Sequence, residues 1–313
     1  MIQPEAQSLE QAVPLPVPVV AREARGLKLF RRAGHKRLRT DERVALWVSR
    51  IIIIAVILVF LFPMVYVVGT SVQGGLLFNT NEILPTSFTL QHYQDLFSQT
   101  GFLTWIRNSV IVCTSIGVLT VALVATMAYA FSRFRFRGRK YGLMFLLLIQ
   151  MFPAQMSFIA FYYLLNRIGL YDTLQGLILV LLGGGLPFNA WLFKGYIDSL
   201  PRDLEEAAYV DGASKLQAYI RIILPLTRPM MAVIFIFVWF GMYSEFLVTS
   251  FLITTPDNYT FAVGLFGFIN QQFLNNWTEF SAAAIIGAMP LMLVFLLSQR
   301  FLVAGLARGA VKG

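Results

Sequence analysis

The 313-residue chain is 57% hydrophobic and only 13% charged, where a soluble domain carries about a quarter charged residues, so lipid is its main solvent. Its net charge of +9 sits between long apolar runs, which speaks for membrane orientation and against nucleic acid. A lone Cys113 and two scattered histidines, His35 and His92, exclude an internal disulfide and make poor metal ligands.

Residues 1–43 open with a Pro-punctuated stretch and become basic. The basic block is long for a signal peptide and no small-residue cleavage site follows it, so it reads as a largely disordered cytoplasmic arm. A short surface helix at Ala24–Arg32 is its one expected element. From there to residue 306 the hydropathy predicts an all-α integral membrane domain of six transmembrane helices, at about 44–70, 103–131, 141–165, 173–195, 226–253 and 280–303. Residues 307–313 form a short cytoplasmic tail. Of the 25 Lys and Arg, 23 fall at Arg22–Arg50, at Arg133–Lys140, at Lys194–Arg228 or after Gln299. The alternate connections, Ser71–Gly101 and Thr254–Glu279, have none. This alternation places both termini in the cytoplasm and those two loops outside.

Within the fourth span, Gly183-Gly184-Gly185-Leu186-Pro187 sets backbone freedom beside a residue that cannot donate a helix hydrogen bond, with polar Asn189 close by. The group Gly184, Pro187 and Asn189 reads either as a packing kink or as a broken helix lining a transport path. In the fifth span Glu245 is the one acid at membrane depth, and it reads as a structural or gate-lining group, or as a proton relay in a secondary transporter.

Between spans four and five, Pro201–Gly212 has a proline suited to the first helical position and acids at Asp203, Glu205 and Glu206 facing the positive helix start. Leu204, Ala207, Ala208 and Asp211 share one face, and Gly212 suits the stop. About eleven residues span roughly 16 Å, too short to cross a bilayer, so the segment is a short cytoplasmic helix shaped to dock into another protein. The last external loop collects Asn258, Tyr259, Asn270, Gln271, Gln272, Asn275, Asn276 and Trp277, amides and aromatics that suit either carbohydrate contact or plain solvation. No phosphate-binding G-x-x-x-x-G-K-[ST] loop and no catalytic grouping of nucleophile and base occurs, so the chain reads as a transport subunit and no enzyme.

Glu206-Ala207-Ala208, Gly212 after three residues, then nine residues and Ile222-x-Leu224-Pro225 resemble the EAA signature of binding-protein-dependent ABC importer permeases. The span order, Tyr259-Thr-Phe-Ala-Val-Gly264 and the tail from Gly305 resemble the MalG-type permeases of maltose/maltodextrin systems, over about Val44 to Gly313. The resemblance implies a coupling segment at 201–225 that docks on an ATPase homodimer, with Glu206 meeting a basic residue there. ATP and Mg would be bound by that ATPase, and no cofactor, catalytic group or metal by this chain. It further implies a second, MalF-type permease and an extracytoplasmic sugar-binding protein, into which the Thr254–Glu279 loop reaches to help release solute. The setting is the inner membrane of a bacterial or archaeal cell. The implied solute is maltose or maltodextrin, with trehalose or another oligosaccharide in a sister system as the alternative.

Overall fold

The computed structural model describes residues 40–74, 85–270 and 276–310, without side chains at 40, 42, 154 and 300–310. The surface helix expected at Ala24–Arg32, loop residues Gln271, Gln272 and Asn275, and the last three residues lie outside them. Among the described residues the chain is all-α, with one isolated antiparallel bridge between Gln73 and Phe88.

The chain divides into two units, Met1–Phe60 and Leu61–Gly313. Helix α1 (Thr40–Val72) begins in the first. From Ile51 to Phe60 it is Ile, Val, Leu and Phe broken only by Ala55, apolar around its circumference as lipid requires.

The second unit is a bundle around α3 (Phe102–Arg133), preceded by the short α2 (Gln91–Gln99). The buried face of α3 carries Ser109, Cys113, Gly117, Thr120, Ala125, Ala128 and Ser132, small side chains that let neighbouring backbones approach. Gly117 shows this directly, because a Cβ there would lie 2.8 Å from the Phe235 ring. Against α3 pack α6 (Leu174–Asp198) and α9 (Leu224–Tyr243), while α12 (Trp277–Ala310) packs on α9. A capped turn at Lys215–Ala218 and a π-helical turn at Tyr219–Ile223 lead into α9, so one apolar helix runs from Lys215 to Tyr243. Pro225, which has no amide hydrogen to give the helix ladder, follows directly on that π turn.

Among the described residues five helices are long and apolar enough to cross a membrane, and a bent pair makes a sixth crossing if taken as one span. That pair is α4 (Arg139–Gln150) and α5 (Phe158–Arg167), bent by 79°. Pro153 is extended (ψ 125°) ahead of a 3-10 turn at Ala154–Ser157, so the expected single helix at 141–165 is two.

The interruption expected at Gly183–Pro187 is not a break. Helix α6 continues through it. The ladder is patched locally: Gln150 Oε1 accepts from the Phe188 amide at 3.2 Å, and Asn189 Nδ2 donates to Gly185 O at 2.8 Å. Among the described residues of this chain, a Cβ at Gly183 or Gly184 would meet nothing within 4 Å, so no neighbour within the chain requires glycine there. The fifth span is also shorter than the expected 226–253. It ends at Tyr243, and a separate helix α10 (Leu247–Leu252) follows.

Candidate functional site

Helix α7 (Asp203–Val210) is the short helix expected between the fourth and fifth spans. Asp203, Glu205 and Glu206 lie in its first turn, where negative charge offsets the unpaired amides of the helix start. Its end is a Schellman turn: Ala213 N donates to Ala208 O at 2.9 Å, Gly212 N to Tyr209 O at 3.1 Å, and Gly212 has φ +83°. Ser214 and Gln217 then form a reciprocal capping box, with Ser214 N donating to Gln217 Oε1 at 2.8 Å. The segment therefore has two fixed ends and a sharp exit.

The residues grouped on one face divide differently in space. Leu204, Glu206, Ala207 and Asp211 are exposed, whereas Ala208 is turned inward beside Glu205. Heptad-like spacing puts Ala208 with Leu204 and Asp211, but eight residues make barely two turns, and contact with the turns at 215–223 together with the Glu205–Arg133 pair decides which edge is covered. A groove of about 460 Å³ runs beside the exit, lined by Asp211, Gly212, Ala213, Gln217 and Arg221 among others.

Glu205, which the sequence offered only as a helix-start acid, is 4% exposed and forms an ion pair with Arg133 at the end of α3, Nε to Oε1 2.7 Å. Arg133 also donates from Nη2 to Leu200 O at 3.1 Å. Around it, Ser132 Oγ donates to Asp198 Oδ1 at 2.6 Å, and Lys194 pairs with Asp198 at 2.5 Å. Arg139 donates to the carbonyls of Phe131 and Ser132 at 2.9 and 2.8 Å, satisfying the end of α3. The basic turn at Arg133–Lys140 and the 201–225 segment thus meet at one end of the bundle.

The connections without basic residues meet at the other end, where the Thr278 hydroxyl lies 3.4 Å from His92 Nδ1. There the loop after α10 is tied down. Asn108 Nδ2 donates to Asp257 O and Tyr259 O at 2.8 and 3.0 Å, and Phe261 N donates to Ser109 Oγ at 2.7 Å. Asp172 (φ +56°) accepts from Thr254 N at 2.8 Å and from the Thr255 amide and hydroxyl. Burial raises the proton affinity of Asp172, but these hydrogen bonds outweigh it and hold the carboxyl below its usual range.

Of the loop residues singled out for solute, Asn258 spends its amide on Asp172 O at 2.7 Å. Asn276 Oδ1 accepts from Glu279 N at 3.0 Å and caps α12. Tyr259 is half-buried with its carbonyl held by Asn108, while Asn270 and Trp277 are exposed. Glu245 does not lie within a helix. It follows α9, and its carboxylate accepts from Val248 N at 2.8 Å, Thr249 N at 3.0 Å and Thr249 Oγ1 at 2.5 Å, capping α10. From Asn108 to Arg133 is 25 helical residues, about 37 Å, so the α7 cluster and the loop cluster are separate sites.

Residues 119–308 match the family described as the binding-protein-dependent transport system inner membrane component. The chain is 40% identical over 227 residues to the maltodextrin transport system permease protein MdxG of Bacillus subtilis, covering 72% of this chain and 82% of that one. It is 38% identical over 287 residues to the maltose/maltodextrin transport system permease protein MalG of Vibrio vulnificus, covering 85% and 96%. The galactooligosaccharides transport system permease protein GanQ of Bacillus subtilis is 35% identical over 279 residues, covering 88% and 99%. In fold, the chain is similar to a chain of a bacterial ABC transporter involved in the import of the acidic polysaccharide alginate, with a TM-score of 0.72, 22% identity and coverage of 84% and 98%. With a short acid-led helix held at one end of an all-α membrane bundle and a family match across most of that bundle, the chain belongs to the inner membrane components of binding-protein-dependent transport systems.

Proposed function

We propose that this chain is a permease subunit of an ATP-driven oligosaccharide importer and that α7 is where the partner ATPase drives it. One observation carries the reading: α7 is anchored by its Glu205–Ala208 edge while Glu206, Leu204, Ala207 and Asp211 stay exposed. An exposed acid beside a small alanine suits close approach to a cleft bearing a basic residue. In this reading ATP and Mg are held by an ATPase homodimer, a MalF-type subunit completes the path, and an extracytoplasmic sugar-binding protein delivers solute. The positive-inside pattern puts α7 and both termini in the cytoplasm, and closure of the ATPase rocks the bundle between inward-facing and outward-facing states.

The solute we assign is maltose or a maltodextrin. Support comes from the names of the two relatives at 38–40% identity. The galactooligosaccharide relative keeps sister oligosaccharides as the competing solutes.

The test uses the assembled complex in vesicles. Glu206→Lys should abolish uptake of radiolabelled maltodextrin while the membrane complex with the second permease still forms, because the Glu206 side chain is exposed and holds nothing among the described residues. Glu245→Gln should leave uptake indifferent to the proton gradient, since its carboxylate serves as a helix cap. Uptake that survives ATP depletion but stops when the proton gradient collapses would overturn the proposal. A panel of maltodextrin, trehalose and galactooligosaccharide, read as binding-protein-dependent ATP hydrolysis, decides the solute.

A further inference from the structure

We infer that the buried Arg133–Glu205 pair is the strut that carries motion of α7 into α3, making both of them positioning residues for coupling. This rests on α7 being the docking helix proposed above.

Helix α7 has eight residues and turns only two side chains inward, Glu205 and Ala208. Ala208 offers one methyl. Glu205 is therefore its one charged anchor, and the anchor is stiff. Its Oε1 meets Arg133 Nε at 2.7 Å with side-chain exposures of 6% and 5%, and its Oε2 lies 3.4 and 3.5 Å from the hydroxyls of Tyr129 and Tyr209. An ion pair out of water is directional, and separating its partners strands a buried charge, so the pair resists being pulled apart more than a greasy contact would. Arg133 also grips Leu200 O, on the strand of chain entering α7, so one guanidinium holds the helix at two points.

The other side of the strut is equally fixed. The Arg133 turn is tied to α6 through Ser132 and Asp198, and its carbonyls are closed by Arg139. Helix α3 then runs about 37 Å to Asn108 and Ser109, which hold the Asp257–Phe261 loop. A displacement of α7 is thereby delivered to the central helix of the bundle, whose far end grips the loop at the opposite face. Glu206 receives the partner and Glu205 passes the motion on, which gives adjacent acids separate tasks.

The experiment is uptake per ATP hydrolysed, measured on the complete complex reconstituted with its ATPase and binding protein, using a radiolabelled maltodextrin. In Glu205→Gln the ATPase should still co-purify and hydrolyse ATP, while maltodextrin moved per ATP falls about 5- to 100-fold, the span of an ordinary coupling free energy. Ser199→Ala, which removes an exposed hydrogen bond to Tyr196 O at the nearby end of α6 without touching the pair or its ties, should keep the ratio of the unmodified chain. The exchanged pair Arg133→Glu with Glu205→Arg should recover part of the ratio lost in Glu205→Gln. A normal ratio in Glu205→Gln, uptake and hydrolysis falling together with complex yield, or an assembled exchanged pair no better than Glu205→Gln each overturns the strut. Failure of the docking reading looks different: Glu206→Lys would then leave uptake and hydrolysis intact whatever Glu205 does.

Discussion

Gly287 lies where α12 passes Phe261 of α11 (Phe261–Gly267), and an added methyl would overlap Cε2 and Cζ of that ring and sit 3.0 Å from Cδ2. Neither side has room to yield. The Phe261 ring is stacked on Tyr243 at 5.3 Å and set edge-on to Phe102 at 6.3 Å, so it is boxed on two faces. The backbone of α12 is held by the Tyr243 hydroxyl, which donates to Gly287 O at 2.6 Å. Restoring van der Waals contact needs a shift of roughly 1 Å or more. Overpacking of this kind costs about 1–3 kcal/mol, and stretching the tyrosine hydrogen bond adds about 1 kcal/mol. Gly287→Ala should therefore destabilise the bundle by about 2–4 kcal/mol, lowering the thermal unfolding midpoint of the detergent-purified complex by on the order of 5–10 °C. Phe261→Leu in the same chain should relieve the overlap, so the double variant should be less destabilised than the sum of the singles by about 1–2 kcal/mol. An unchanged midpoint in Gly287→Ala, or strictly additive singles, refutes the close-packed contact.

Two further outcomes follow from local geometry. Gly212→Ala places a side chain at φ +83° with nothing nearby to clash, so it should cost only the left-handed penalty of about 1–2 kcal/mol; Gly212→Asn should cost less, and both are read by thermal midpoint and maltodextrin uptake. Asp172 has a folded-state pKa below its unfolded value, so its contribution is complete above the unfolded pKa and is lost as pH falls through the folded one. Melting profiles on the acid side should thus be flatter in Asp172→Asn than in the unmodified chain, and identical pH profiles would count against the Thr254–Thr255 clamp.

Much of this protein was legible before any packing was known, because lipid leaves the backbone few options. Long apolar runs must be helices, and the alternation of basic and base-free connections sorts the loops into two sets. The set sharing Arg133 and Glu205 does meet at one end, and the set sharing His92 and Thr278 at the other. Helix α7 was equally readable, since Pro201, a first turn of acids and Gly212 are local signals acting within one or two turns.

What the sequence could not carry was any choice made by a distant neighbour. Pro187 and Pro153 look alike as helix breakers, yet α6 continues because Gln150 and Asn189 serve the disturbed ladder, whereas the chain at Pro153 turns extended. Glu245 has the composition of a buried relay acid, but the end of α9 at Tyr243 leaves it free to cap α10. Glu205 and Glu206 differ by one position and one chemistry-free choice of edge. By itself the sequence determined the membrane bundle, the sorting of the connections into two sets and the existence of a short acidic helix, because those depend on hydropathy and nearest neighbours. Only the tertiary structure decided which acid faces Arg133 and which faces outward, because that depends on where the end of α3, 72 residues earlier in the chain, comes to rest.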